Sequence, residues 1–315
     1  MYDLIGDIHG YSEHLKALLA KLGYRRSLGV WSHPERKVIF LGDFVDRGKG
    51  QIETVQIARS MVESGHALAV MGNHEFNAVA YATPHPDKPG EFLRPHNSKN
   101  RKQHQAFLDA VGEGSNIHKD IISWFSTLPI YLDLPELRVV HACWHAESLK
   151  IMRGYLDDKN RLLSDAWIAS NTKAHEAYDA VEILLKGLEI PLPEGIHFFD
   201  KDKNRREHIR SRWWSKGEVN YRAVAIMPPE YLHTLPEEAV SPDLLPGYDG
   251  RKPLFLGHYW LQSEKPEPLT EHIACLDYSV ASEHTESTGA KGKLVAYRWQ
   301  GESVLTPDHF VWVSE

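Results

Sequence analysis

Short apolar runs recur along the first part of the chain, and several end in a glycine followed by polar side chains. Residues 2–5 read as a strand that stops at "GDIHG". A helical pattern follows, with Leu15, Leu18, Leu19 and Leu22 on one face, Ser12 as the expected N-cap and Gly23 as the stop. Residues 37–41 form a second predicted strand. A glycine-rich turn then leads into a helix with Ile52, Val55, Arg59 and Val62 on one face, ended by Gly65. The third strand, 66–71, runs into "GNHEF". Strands alternating with amphipathic helices predict an α/β sheet with helices packed on it.

The pattern loosens afterwards. Residues 81–102 are rich in Pro, His and Asn and read as a long surface loop, with helices expected over 101–111 and 117–126. A strand at 137–141 resumes the sheet. From 148 to 215 the chain reads as mostly helical, and its patch "DKDKNRREHIR" mixes both charge signs, as a solvated face does. Six prolines between 228 and 253 punctuate a loop that cannot hold regular structure. Strands are expected again at 253–256 and in "HIACLDYSV", "KLVAYRW" and "HFVWV". The expected plan is one domain over 1–315, with insertions at about 77–128 and 148–252 forming a partial cap.

Composition narrows the partners. A net charge of -7 over 315 residues makes nucleic acid an unexpected partner, because the chain has no excess of cations to neutralise phosphates. An anionic substrate remains compatible, since a bound metal inverts the local charge. No apolar run approaches the ~20 residues a membrane helix needs, so no membrane contact is expected. The chain opens on a strand-like "MYDLIGD" rather than a leader, which makes the cytoplasm the expected location. Cys143 and Cys275 sit in apolar stretches and read as buried free thiols.

Five polar clusters then stand at the carboxyl ends of predicted strands: "GDIHG", "GDFVDRG", "GNHE", "VVHAC" and "LGHYW". In open α/β sheets that edge is where ligands bind. Each cluster alone has a bland explanation, such as a hydrogen-bonded turn, a capping loop or a satisfied core histidine. Together they supply carboxylate, imidazole and amide oxygen, the donors a first-row metal accepts. Asp7 and His9 need a tight turn at Gly10 to converge, Asp43 is placed to bridge two ions, and Asn73, His141 and His258 complete the second.

In this order the motifs resemble the calcineurin-like metallophosphoesterases, specifically their phosphoprotein-phosphatase branch. The resemblance implies an α/β/β/α architecture, two mixed β-sheets in a sandwich flanked by helices. It implies Asp7, His9 and Asp43 on one metal and Asp43, Asn73, His141 and His258 on the other. The ions implied are divalent, manganese first, with iron or zinc as alternatives. Two such ions acidify a shared water for in-line attack on phosphorus. The family pattern further implies His74 as proton donor to the leaving oxygen, Asp46 orienting its imidazole, and Arg47 forking onto phosphate oxygens. A second arginine is expected from "IRSRWWS", Arg212 ahead of Arg210.

The substrate expected is a phosphorylated protein or small molecule, hydrolysed as a phosphate monoester. The alternative is a dinucleoside polyphosphate, because "GHYW" and the flanking strands are similar to bacterial dinucleoside-tetraphosphate hydrolases. Trp124, Tyr155, Trp213 and Trp214 are then candidates to stack a base, or simply core residues. A catalytically silent scaffold ranks below both, since no expected ligand is missing. Glu75 gets no role beyond favouring a helix dipole.

Overall fold

The computed structural model describes residues 1–199, 204–282 and 291–314. The chain opens with β1 (Tyr2–Ile5), α1 (Ser12–Lys21), the hairpin β2 (Arg25–Ser27) and β3 (Val30–Ser32), β4 (Lys37–Phe40), α2 (Gln51–Glu63), β5 (Ala67–Ala69) and α3 (Asn73–Ala82). The hairpin escaped the apolar pattern because none of its residues is buried. Helices α4 (Ser98–Val111) and α5 (Asn116–Phe125) follow, then β6 (Tyr131–Asp133) and β7 (Arg138–Val140).

Residues expected to be mostly helical do hold α6 (Ala146–Met152), α7 (Ala166–Ala169) and α8 (Glu176–Lys186). Beyond them the chain turns to short strands: β8 (Glu189–Pro191), β9 (Phe198–Phe199), β10 (Arg205–Arg206) and β11 (His208–Arg210), before the single turn α9 (Tyr221–Val224). Strands β8 and β11 pair antiparallel, with buried Ile190 opposite buried Ile209, a two-residue alternation that proline-rich text disguised. Part of the charged patch, 200–203, lies outside the described residues. The chain closes with β12 (Leu254–Leu256), β13 (Ile273–Cys275), β14 (Asp277–Tyr278), β15 (Lys293–Trp299) and β16 (Phe310–Val313).

Two sheets result. In one, β1, β4 and β5 run parallel and β15 adds antiparallel to β1, itself pairing with β14 and β16. In the other, β7, β12 and β13 run parallel and β6 lies antiparallel to β7. Strand alternation sorts the side chains into two cores. Leu4, Ile39, Val139, Phe255, Ala274 and Tyr297 meet in one cluster, drawn from both sheets. Their neighbours Ile5, Phe40, Val140, Leu256 and Cys275 belong to another, shared with Leu15, Leu18, Ala58 and Met61 of α1 and α2 and with Leu184 and Leu185 of α8. This is the expected sandwich with helices outside. A third small cluster, including Ile190, Ile209, Tyr221, Val224 and Val240, forms within 148–252.

Ser12 is not the cap expected of it. The helix starts at Ser12 with Tyr11 before it and no side-chain cap. The Ser12 hydroxyl bonds Glu53 on α2 instead, because it is buried where α1 passes Gly50. Both cysteines are buried and free, and burial pushes their thiols up. Among the described residues no helix is long and apolar enough to cross a membrane.

Candidate active site

The parallel strands β1, β4 and β5 of one sheet and β7 and β12 of the other deliver their carboxyl ends to one place. Cross-links hold these ends together: Ile8 N and His9 N both donate to Asp43 O, at 3.0 and 2.8 Å. His141 Nδ1 donates across the sheets to Leu41 O at 2.7 Å, and Gly257 N donates to His141 O at 2.9 Å. The chain then bends abruptly. His9, Asp43, Asp46 and His258 all have positive φ, at 50, 52, 86 and 71°. For non-glycine residues each such position costs on the order of 1 kcal/mol, and such strain concentrates where geometry serves a ligand. Two glycines make the approach possible. A Cβ at Gly72 would lie 2.2 Å from Asp43 Oδ1, and one at Gly257 would lie 2.0 Å from Asp7 Oδ1.

Asn73, His141 and His258 converge on Asp43. His258 Nδ1 lies 2.7 Å from Asn73 Oδ1, which lies 3.2 Å from His141 Nε2, which lies 3.3 Å from Asp43 Oδ2. Ligand atoms around one ion at bond lengths near 2.1 Å stand roughly 3 Å apart, so these donors fit a metal. A second trio, His9, Asp43 and His74, shares the same carboxylate oxygen, with His9 Nε2 and His74 Nε2 at 3.9 and 3.8 Å from Asp43 Oδ2. Asp7 falls outside that trio, although His258 N donates to its Oδ2 at 3.0 Å.

Unpartnered atoms sharpen the fit. Asp7 Oδ1 and His9 Nε2 are buried without a hydrogen-bond partner. Such orphans are uncommon in a folded chain. His9 and His141 each place Nδ1 on a backbone carbonyl, Val45 O and Leu41 O, which turns Nε2 toward the cluster, the arrangement of metal-bound histidines.

The charges are strongly coupled. Burial opposes the Asp43 charge, yet His141, His74 and His9 hold its carboxyl well below the usual range. Burial, then Asp277, pushes Asp7 up. Burial lowers His9 to about 4, and His74 adds to the effect. His141 resists its burial through Asp43 and Asp7 and rises to about 10.

Around this cluster stands a second layer. His74 Nδ1 meets Asp46 Oδ2 at 2.6 Å, the expected pair. Asp46 Oδ1 meets a further imidazole, His104 Nδ1, also at 2.6 Å. Burial works against that carboxylate, but the His104 and His74 bonds pull it to about 2. Sequence reasoning missed His104, although His104, Phe107, Leu108 and Val111 all lie on the buried face of α4 and their spacing could have shown it. Glu75, fully buried, has more than a dipole role. Its Oε2 accepts from Asp43 N at 2.7 Å and Gly72 N at 3.0 Å, and its Oε1 accepts from Phe44 N at 2.8 Å.

A cleft of about 500 Å³ opens beside the cluster, lined by Asp46, Asn73, His74, His104 and His258 together with Arg47, Arg94, Lys99, Lys173, Lys186 and Arg210. Arg47 also stacks on Trp260, its Cζ 5.2 Å from the ring centre. Arg212 is a correction: it is exposed and lines a separate hollow with Thr270 and His272. Strand β11 ends at Arg210, and Arg212 N then donates to Val224 O at 2.7 Å, so the alternation that would put both arginines on one side stops. The aromatic candidates are also displaced. Trp124, Trp213 and Trp214 are buried in the main core, Tyr155 packs against it, and the cleft's own aromatics are Tyr81 and Tyr178.

The sequence pattern of the calcineurin-like phosphoesterases matches residues 2–244, and the chain belongs to that family. Membership implies divalent metal ions, and the donor set fits them. The curated relatives it resembles include the bis(5'-nucleosyl)-tetraphosphatase PrpE (asymmetrical) of Geobacillus sp. (strain WCH70), 50% identical over 23% of this chain and 30% of that protein. The protein of the same name from Bacillus subtilis (strain 168) is 32% identical over 47% of this chain and 59% of its own length. The chain thus spans under two thirds of either relative. Among solved structures, a protein serine/threonine phosphatase from Saccharomyces cerevisiae matches at a TM-score of 0.48 and 12% identity, covering 99% of this chain and 78% of that one. A cold-active protein-tyrosine phosphatase of a psychrophilic Shewanella matches at 0.49 and 16%, covering 99% and 79%. At scores below 0.5 neither bears on what this chain acts on.

Proposed function

We propose that the chain is a divalent-metal-dependent hydrolase of dinucleoside polyphosphates. One observation carries this choice of substrate: the arginines of the cleft lack carboxylate partners. Elsewhere Arg36, Arg59, Arg101, Arg138, Arg161 and Arg222 each sit on a carboxylate. Among the described residues Arg47, Arg94 and Arg210 have none. Arg94 is held only by neutral amides, Asn77 Oδ1 at 2.7 Å and Gln103 Oε1 at 3.0 Å, and Arg210 Nε is buried and unpaired. Partly buried cations left uncompensated weaken a fold. A ligand with several negative charges compensates them, whereas a phosphate monoester carries about two charges for three guanidiniums. The names of the curated relatives point the same way.

Two divalent ions held by Asp7, His9, Asp43, Asn73, His141 and His258 would supply an acidified water and charge neutralisation at the phosphoryl oxygens. The chain's own groups do the rest. Arg47 and Arg210 hold phosphate oxygens, Arg94 holds the remainder of the polyphosphate, and His74, its tautomer fixed by Asp46, donates a hydrogen bond to the departing oxygen and gives up the proton where that oxygen leaves as an alkoxide.

A second reading, hydrolysis of phosphate monoesters, is favoured by the Asp46–His74 pair. An alkoxide departing from a monoester needs a proton, whereas a nucleotide departs as a stable anion. Manganese-loaded protein assayed on diadenosine tetraphosphate, p-nitrophenyl phosphate and a phosphopeptide separates them. The proposal expects kcat/KM on the dinucleotide to exceed both others by about tenfold or more, a difference of ~1.4 kcal/mol in transition-state binding. Faster turnover of either monoester reverses the order of the two readings, and no turnover of any substrate refutes both.

A further inference from the structure

We infer that His104 is a positioning residue for the reaction centre, holding one oxygen of Asp46 so that the other is aimed at His74. The inference rests on the proton-donor role proposed above for His74.

The packing around His104 argues against a merely structural histidine. It sits on the apolar face of α4 with Phe107, Leu108 and Val111 and is 5% exposed. Its ring lies against Phe107 at 4.9 Å and edge-on to Tyr81 at 5.6 Å. A leucine or phenylalanine would suit such a place better, since burying a polar ring costs free energy unless its nitrogens are bonded. Nε2 has no partner at all. The one polar contact of the ring is Nδ1 on Asp46 Oδ1 at 2.6 Å, a short bond to a carboxylate.

Asp46 needs that contact. Its backbone is held at φ 86° and its N–H donates to Gln51 Oε1 at 2.8 Å, which fixes the main chain but not the carboxylate plane. Rotation about the last torsion of an aspartate is broad and roughly two-fold, so one imidazole on one oxygen leaves the group free to swing. Two imidazoles on opposite oxygens, both at 2.6 Å, define the plane. His74 then receives a fixed acceptor for Nδ1–H, and its Nε2 a fixed direction. Misplacing a catalytic group by about 1 Å costs on the order of a hundredfold in rate.

Aryl monoesters of different leaving-group acidity test this, because a proton donor matters for phenyl phosphate and little for p-nitrophenyl phosphate. In His104→Phe, which keeps the packing and loses the bond, kcat on phenyl phosphate should fall about ten- to a hundredfold, a part of the 10²–10⁴-fold a general acid contributes. KM should stay nearly constant and p-nitrophenyl phosphate should be largely spared. His104→Asn should recover most of the loss, because its amide nitrogen lies two bonds from Cβ, as Nδ1 does. Equal losses on both substrates, or no recovery in His104→Asn, would overturn the inference, provided His74→Asn shows the leaving-group dependence. If His74→Asn shows none, the proton-donor role itself fails and the inference falls with it. A second measurement is independent of turnover. The proton NMR spectrum of the metal-free protein should include downfield imidazole N–H resonances from both His74 and His104, and His104→Phe should remove that of His104 and shift that of His74. A His74 resonance that stays in place in that variant also overturns the inference.

Discussion

Glu75→Gln probes the joint on which the site turns. The carboxylate of Glu75 accepts three backbone N–H groups, from Asp43, Phe44 and Gly72, and has no access to water. Glutamine keeps the shape but turns one oxygen into an NH2. If its oxygen takes the two bonds from Asp43 N and Gly72 N, the NH2 faces Phe44 N–H, donor against donor. One charge-assisted bond is lost, about 1.5–3 kcal/mol, and a buried donor is left unmade, about 1–3 kcal/mol more. The expected loss of stability is therefore roughly 3–5 kcal/mol, at the high end for one substitution. Urea unfolding of the metal-free protein measures it, and the melting temperature should drop by about 6–10 °C, at about 2 °C per kcal/mol for a large domain. Manganese affinity, followed by calorimetry, should fall about tenfold or more, because Glu75 sets the backbone that carries Asp43. A loss below about 1 kcal/mol, with manganese binding intact, would refute this account of the joint.

Three further outcomes follow from the same geometry. Arg94→Gln should raise KM for diadenosine tetraphosphate about tenfold, the worth of one charge-assisted contact, while Arg212→Ala leaves it unchanged; comparison of kinetics in the two variants checks both. Manganese at a hundred times its dissociation constant should stabilise the protein by about 2.7 kcal/mol, and Asp43→Asn should abolish that gain in thermal melts. Asp46, drawn down from 3.8 to about 2 when folded, contributes stability that is complete above its unfolded value and lost as pH falls towards 2. The contribution is about 2 kcal/mol, so the metal-free protein should lose that much more stability between pH 5 and 2 than Asp46→Asn does, as read by urea midpoints at each pH.

Much of the site could be read from the chain because glycine-marked strand ends fix both where a side chain lies and which way the backbone turns. The convergence of Asn73, His141 and His258 on Asp43 needed only parallel strands ending level. What escaped notice depends on contacts between distant segments. Glu75 looked like a helix-start residue because its partners, Asp43 and Phe44, lie about thirty positions away. His104 sat in an insertion without a motif, and only helical spacing marked it as buried. The sequence does not separate Arg210 from Arg212, because nothing local shows that β11 ends at Arg210. The strands of 189–210 were lost for a related reason, since two- and three-residue strands carry too few alternations to detect. The tryptophans were legible as apolar, and their burial in the core follows from that alone.

The bond from His258 N to Asp7 joins residues 251 positions apart. Ribosomal synthesis therefore presents Asp7, His9, Asp43 and Asn73 long before His258 exists, and before β15 can pair with the other edge of β1. During that interval the nascent chain carries an open set of carboxylate and imidazole donors around an unfinished sheet. Only the arrival of β12 and β15 turns those loose donors into a closed cluster, so the cluster cannot close until residue 258 has left the ribosome.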